Sequence, residues 1–366
     1  GLRVHAAYVR PGDDQVRFAV SNDRYALWAD ALNQFFTLTE IHLPREYRSV
    51  SVQTLDDNLL GNTLRYQRKT PQAKTVRPSE RTSQTEKEPV SLIDILPGAH
   101  FLRPAHQTDF EYPRLALGAD LALRIQLMDP NEPLKYQLYV KGTGRLALSD
   151  SLNIWSAVTV DVSNDFNTKR PSDSVLPRVR SEVNQYLTEG ENGIDTLFLS
   201  WQQSMRPNLH ARVSAGLLEE MFGGTSLEVL WEPFAARWAL GANFNWVQQR
   251  GYDKRFSFRD YRVVTGHASV FYASPWYNVD LGLHVGRYLA KDKGYTFEAR
   301  RTFDNGFSIG AFVTRTNVSA VDFGEGSFDK GLFLSVPYSL LFAGNTRSQY
   351  RTTIRSIERD GGRRLE

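Results

Sequence analysis

Arg114-Leu115-Ala116-Leu117-Gly118-Ala119-Asp120-Leu121-Ala122-Leu123-Arg124-Ile125-Gln126-Leu127 is the stretch on which the fold turns. Its odd positions, Leu115, Leu117, Ala119, Leu121, Leu123, Ile125 and Leu127, form one apolar row. Its even positions carry Arg114, Asp120, Arg124 and Gln126 among small residues. A period of two is the signature of a strand with two different faces. The run is also long, since strands of globular proteins average ~5 to 6 residues.

The same alternation returns downstream. Trp238, Leu240, Ala242, Phe244 and Trp246 oppose Arg237, Ala239, Gly241, Asn243 and Asn245, and Val279, Leu281, Leu283 and Val285 oppose Asp280, Gly282, His284 and Gly286. About fourteen such segments begin near residues 114, 134, 151, 178, 194, 208, 225, 235, 261, 276, 294, 306, 330 and 346. Between residues 233 and 345 short turns, such as Glu232-Pro233 and Asp304-Asn305-Gly306, interleave with longer connections at 250–260, 289–294 and 317–329. Short turns on one rim and longer loops on the other belong to a barrel in lipid, whose strands put apolar residues outward and polar ones inward. Only closure satisfies every backbone group there. The expected fold is mainly β, a transmembrane antiparallel β-barrel of about twelve to sixteen strands preceded by a small α/β domain. A soluble sandwich or propeller is the competing architecture, and a charged face running along such long strands suits it poorly.

Composition is compatible with that reading. The 366 residues carry 44 basic and 41 acidic side chains, a net charge of +3, which excludes a polybasic nucleic-acid binder. No cysteine occurs, so thiolate catalysis, disulfides and cysteine-held metals are excluded. No apolar run reaches the ~18 residues of a membrane helix. A mean hydropathy of −0.41 does not decide between soluble and barrel proteins, because alternating strands average out polar.

Three domains are expected. Residues 1–69 read as a small α/β domain. A hairpin runs over Arg3 to Val20, and a helix over Arg24 to Leu38 is capped by Asn22 or Asp23, with Tyr25, Leu27, Trp28, Leu32, Phe35 and Phe36 on its core stripe. Residues 70–92, rich in Pro, Ser, Thr and charge, read as a flexible linker. Residues 93–366 form the barrel, closed alone or completed by another segment or chain.

Phe323-Gly324-Glu325-Gly326-Ser327-Phe328-Asp329-Lys330-Gly331, the following Leu332 to Pro337 (LFLSVP), the Asn305 to Gly310 hairpin and the closing Arg359-Asp360-Gly361-Gly362 resemble the C-terminal portion of the YjbH/GfcD family of exopolysaccharide and capsule proteins. The resemblance implies an outer-membrane barrel of a Gram-negative bacterium with its N-terminal domain in the periplasm. It also implies a role in export of a polysaccharide. The implied partners are the polymer, outer-membrane lipid, and periplasmic or outer-membrane export proteins or a second barrel segment. The family has no established catalytic residues to carry over. Asp360-Gly361-Gly362 is turn chemistry that should lead into a further strand.

Several motifs bear on chemistry. Gly306-Phe307-Ser308-Ile309-Gly310 matches G-x-S-x-G, yet Phe307, Ile309, Ala311 and Val313 continue as a strand, whereas a nucleophile elbow needs a helix after the serine. The seven histidines show no metal spacing. Asp322, Glu325 and Asp329 make an acidic loop without the calcium-loop frame. Glu219 and Glu220 are adjacent, so on a strand they point to opposite faces and cannot flank one glycosidic bond. No catalytic residue, metal or cofactor is therefore expected.

What remains is the polar face. It would put Arg124, Arg178, Arg180, Arg212, Arg237, Arg300, Arg347, Arg351 and Arg355 into a net-basic lumen. Arg347, Arg351 and Arg355, four residues apart, would stand in one row. Such a surface suits an acidic polysaccharide, with Trp155, Tyr139 and Tyr288 as sugar-stacking rings. It suits equally a lumen plugged by its own ion pairs. The expected function is assistance to exopolysaccharide or capsule export through or alongside this lumen. The alternatives are an outer-membrane hydrolase using Ser308 and a non-transporting scaffold or adhesin.

Overall fold

The computed structural model describes residues 2–9, 12–68, 92–99, 106–110, 112–127, 134–166, 174–324, 328–341, 344, 346–355 and 359–365. The expected linker lies outside them, apart from its last residue. The chain divides into two compact units, one of residues 1–110 and 337–348, the other of residues 111–336 and 349–366.

The first unit is a six-stranded sheet with one long helix. Its strands are β1 (Leu2–Val9), β2 (Gln15–Asn22), β3 (Ser49–Asp56), β4 (Leu59–Gln67), β5 (Leu92–Leu96) and β6 (His106–Gln107), in the order β5-β4-β3-β2-β1-β6. Helix α1 (Trp28–His42) links β2 to β3, which pair in parallel, as a crossover connection requires. Phe35 and Phe36 on α1 pack with Val20, Val50, Val52 and Tyr66 of the sheet. The helix begins four residues later than its stripe suggests. Asn22 does not cap it: the Asn22 side chain accepts the amides of Arg24 and Tyr25 and holds a turn, and Leu27 precedes the helix without a side-chain cap. This unit extends past residue 92, because β5 pairs with β4 and β6 with β1.

The second unit is a thirteen-stranded antiparallel meander. Its strands are β7 (Arg114–Leu127), β8 (Leu134–Ala147), β9 (Leu152–Asn164), β10 (Gly193–Arg206), β11 (Leu209–Leu217), β12 (Phe222–Trp231), β13 (Trp238–Arg250), β14 (Phe258–Ala273), β15 (Val279–Arg287), β16 (Lys293–Thr302), β17 (Ser308–Thr316), β18 (Asp329–Pro337) and β19 (Gln349–Arg355), each beside the next. Two short helices, α2 (Val183–Thr188) and α3 (Ala320–Phe323), interrupt it. The two edge strands approach each other, and the Tyr350 hydroxyl donates to the Leu123 carbonyl at 3.4 Å. Among the described residues no backbone ladder joins β19 to β7.

One segment departs from the expected strands. The stretch near residue 178 is a turn, buried at Val179 and Arg180, that leads into α2. Its alternation of apolar and charged residues serves packing against other loops, as shown below.

The burial of this sheet is inverted relative to a soluble protein. Leu117 is 76% exposed and Trp246 54%, while Asn245 is 5% and Thr296 1% exposed. Along β13 the exposed residues Trp238, Leu240, Ala242, Phe244 and Trp246 alternate with less exposed Ala239, Gly241, Asn243, Asn245 and Val247. Apolar side chains thus face outward and polar ones inward along most of the strands.

Candidate functional site

The inner face changes character at one end. Where the longer connections lie, Phe222, Val247 and Val263 replace the polar inward residues, and they pack with Val179, Tyr186, Met221, Leu289 and Ala290. Residues 174–190, the turns after β11, β13 and β15, and the tail 359–365 converge here into a cap over the inner face. Leu365 packs on its edge.

The tail is held by backbone chemistry. The Asp360 carboxylate, 1% exposed, accepts the amides of Val179, Arg180 and Ser181 at 2.8, 2.7 and 2.9 Å and the Ser181 hydroxyl at 2.7 Å. The Gly362 amide donates to Asp292 at 2.7 Å, and the Leu289 amide donates to the Arg363 carbonyl at 2.8 Å. Gly362 has φ of 76°, a conformation open to glycine at little steric cost. The expected turn is present at Asp360 to Gly362, but it leads back into the cap. Burial raises the Asp292 carboxyl above the usual range and outweighs the bond from Gly362.

Charged groups under the cap are paired. Arg180 makes a two-pronged pair with Glu219 at 2.7 and 2.9 Å. Burial acts to raise the Glu182 carboxyl, but bonds from the Tyr252 hydroxyl at 2.6 Å, Arg259 at 2.7 Å and Arg178 at 3.0 Å together hold it below its ordinary value. Burial and that same carboxylate push the Tyr252 phenol up. Lys254, fully buried, reaches Asp195 at 2.9 Å, and Asp195 also accepts the Thr159 hydroxyl at 2.5 Å. Arg250, also fully buried, donates to the carbonyls of Ile194, Asp195, Glu219, Lys254 and Arg255 at 2.7 to 3.2 Å. A charge held by five carbonyls is a fastening, not a free binding group.

Beyond the cap the interior opens into a cavity of about 370 Å³ on the inner face of β13, β14 and β16–β19, lined at one side by Gly362, Arg364 and Leu365 of the tail. Polar wall residues include Asn243, Asn245, His267, Glu298 and Arg300, and the apolar ones are chiefly Phe312 and Phe333. Both rings lie across a neighbouring strand because glycines leave room. Phe333 pairs with Gly310 and Phe312 with Gly331. A Cβ on Gly331 would stand 2.7 Å from the Phe312 ring, and one on Gly310 would collide with Phe333. Gly282 likewise faces Glu298, whose Cγ would lie 2.8 Å from an added Cβ.

The expected lumen residues are dispersed. Arg300 and Arg355 line the cavity. Arg124 pairs with Glu220, and Arg212 pairs with its cross-strand neighbour Glu228 at 2.5 Å. Arg178 and Arg180 belong to the cap, not to a strand. Arg237 precedes β13 and lies near the Ala273 carbonyl, at 3.5 Å. The arginine row does not form: Arg347 lies outside β19, in the first unit, on Asp56 and the Asn22 carbonyl at 2.9 and 2.6 Å, while Arg351 is exposed and Arg355 approaches Asp329 at 3.7 Å. Spacing of four residues makes a row only where the strand covers all of them.

The stacking rings fare differently. Tyr288 is 0% exposed, its hydroxyl bonded to Thr296 at 2.8 Å, and offers no face to a sugar. Tyr139 is buried beneath the Arg124 guanidinium, and the half-buried Trp155 carries Arg145 at 4.6 Å from its ring centroid.

Other motifs resolve structurally. Ser308 opens β17 with no helix after it, and its side chain makes no hydrogen bond among the described residues. Glu219 and Glu220 lie in the turn between β11 and β12 rather than on a strand, and diverge to Arg180 and Arg124. Of the acidic loop, Asp322 bonds Ser319, Asp329 faces Arg355, and Glu325 is outside the described residues. No cluster of three or more metal-binding side chains occurs among the described residues. His267, Asn243 and Asn245 matter more than their sequence context suggests; the signal for them is their parity on β13 and β14.

Comparison with known proteins agrees on one family. A family model described as exopolysaccharide biosynthesis protein YbjH matches residues 1–366. A relative described as the uncharacterized lipoprotein YjbH of Escherichia coli strain K12 is 36% identical over 254 residues, covering 67% of this chain. That alignment spans 36% of the relative's own length.

Proposed function

Because the chain belongs to the YjbH family of exopolysaccharide biosynthesis proteins, we propose that it is an outer-membrane β-barrel that assists secretion of an exopolysaccharide or capsule polymer without catalysing a reaction. The observation that carries this reading is the inverted burial of the thirteen-stranded sheet. An outward apolar face with a polar interior is the arrangement that hydrocarbon selects and water penalises. Along β13 the outward residues run from Trp238 to Trp246. Eight residues at ~3.4 Å each, on a strand tilted by ~40°, give about 20 Å of height, near the ~25 Å apolar band between aromatic girdles.

The edges of the sheet close on one another or are completed by a further segment, since an open edge has no partner in lipid. The first unit lies in the periplasm, where it meets other export components. The interior acts as a capped vestibule in which polymer is engaged, because cap and tail stand across one end and most interior charges are matched. A hydrolase role for Ser308 finds no support, for the hydroxyl has neither a base beside it nor an elbow beneath it.

Insertion can be tested at β13. Phe244→Arg puts a charge on the outward face near mid-strand and should cost about 2–4 kcal/mol of stability in a bilayer. Asn243→Arg, one residue away on the inner face, should insert normally. Equal behaviour of the two variants, or a wild-type preparation that stays monodisperse without detergent, would refute the barrel.

A further inference from the structure

The cavity carries an arginine, Arg300, that makes no ion pair within 4 Å among the described residues, although its charge acts on Glu298 beside it. Glu298 has Arg364 at 3.5 Å and His284 at 3.4 Å, and Asp329 has Arg355 at 3.7 Å. Arg300 forms neither a hydrogen bond nor an ion pair among the described residues, and its guanidinium sits 5.1 Å from the centroid of the Phe333 ring. The ring lies beside the guanidinium and leaves its donors open. A second polar group of the wall is closed off from the cavity space. His267 is 4% exposed and lines the same cavity, and its Nε2 has no hydrogen-bond partner among the described residues.

Shape adds a second constraint. Thr296, Thr314, Asp329 and Gly362 are buried, whereas Arg300 and Thr353 are exposed, so the cavity is entered from the Arg300 side and ends at the tail. Its volume of about 370 Å³ lies toward the small end of the ~300–1,000 Å³ typical of ligand sites. It fits one sugar unit rather than a passing polymer in cross-section. Asn243 and Asn245 supply amide groups for the hydroxyls of a sugar, while Phe312 and Phe333, each with an arginine over its ring, add apolar edges to the wall.

We propose that this cavity is a dead-end site for a single acidic sugar unit of the polymer, with the sugar carboxylate on Arg300. This rests on the exopolysaccharide reading above. A planar guanidinium takes a carboxylate in a two-pronged bond, which sets both charge and orientation. The polymer would then be held by a unit that enters from the open side and stops at the tail.

The test uses the whole chain in detergent, titrated with glucuronate, glucose, acetate and inorganic phosphate, with binding read by ligand-observed NMR. Glucuronate should bind at least tenfold more tightly than the other three. Arg300→Gln should abolish that preference, leaving glucuronate equal to glucose. Arg212→Gln, which removes an inner-face arginine already paired with Glu228, should leave it intact. Equal binding of glucuronate and glucose, binding of acetate or phosphate as tight as glucuronate, or a preference that survives Arg300→Gln would each overturn the proposal. A chain that inserts in the outer membrane and supports polymer release, yet shows no glucuronate preference, sinks this inference alone. Failure to insert sinks the functional reading instead.

Discussion

Asp360 is the residue whose loss should release the cap with least disturbance elsewhere. Asp360→Asn keeps an oxygen for the amides of Val179, Arg180 and Ser181 but removes the charge. Hydrogen bonds to a charged group contribute ~1.5–3 kcal/mol and neutral ones ~0.5–1.5, so each of the three amide bonds weakens by about 1 kcal/mol. The sum, about 3 kcal/mol of local stability, corresponds to roughly a hundredfold rise in the open population. Asp360→Ala goes further, leaving three buried amides without an acceptor at ~1–3 kcal/mol each. The assay is amide hydrogen exchange of the detergent-solubilised chain. Amides 179–181 should exchange about a hundredfold faster in Asp360→Asn and faster still in Asp360→Ala, while those of Ala242 and Phe244 in mid-sheet keep their wild-type rates. Unchanged exchange at 179–181 in the alanine variant would show that apolar packing around Tyr186 and Phe222 holds the cap alone, and the reasoning from Asp360 would fail.

Lys254→Met should destabilise the second unit by about 3–5 kcal/mol by stranding Asp195, and adding Asp195→Asn should recover much of the loss; urea titration of single and double variants checks both signs. Gly310→Ala should lower stability by about 1–3 kcal/mol because the new methyl meets the Phe333 ring, whereas Ser308→Ala should leave both stability and polymer output unchanged. A loss of polymer output in a fully folded Ser308→Ala variant would reinstate a chemical role for the serine. The depressed Glu182 carboxyl stabilises the cap above the unfolded-state pKa of ~4.3, and that contribution is lost as pH falls through the lower folded value. Proteolysis within residues 174–190 should therefore accelerate below about pH 4 in the wild type. Glu182→Gln should be more sensitive at neutral pH and show less of this acid response.

The long strands were legible because their outward faces answer to a single requirement. In Arg114–Leu127 and in residues 238–246 every second side chain is apolar, and no neighbour has to be known to see it. Inward faces are different. Arg178, Val179 and Arg180 alternate much as a strand would, and only Asp360, far along the chain, decides that they form a turn. Asp360-Gly361-Gly362 has the turn chemistry that its composition announces, but composition does not say where the turn leads. The arginine row failed for want of a strand boundary, since β19 begins at Gln349 and Arg347 lies before it. The cavity needed register: Gly310 opposite Phe333 and Gly331 opposite Phe312 are unremarkable residues until β17 and β18 are laid side by side. Arg300 was visible as an inward charge. That it makes no ion pair among the described residues follows only from what its neighbours do.

The wide sequence separation of the cap's two halves has a kinetic meaning. Residues 179–181 and Asp360 meet across about 180 positions, so their closure entropy has to be met before either side gains a bond. The intervening strands shorten that search only once they are ordered, which makes the stopper the last piece to seat. During biogenesis the vestibule therefore passes through an uncorked stage, with Val179, Phe222 and Val247 still wet. That interval is when the inner face is most open to solvent.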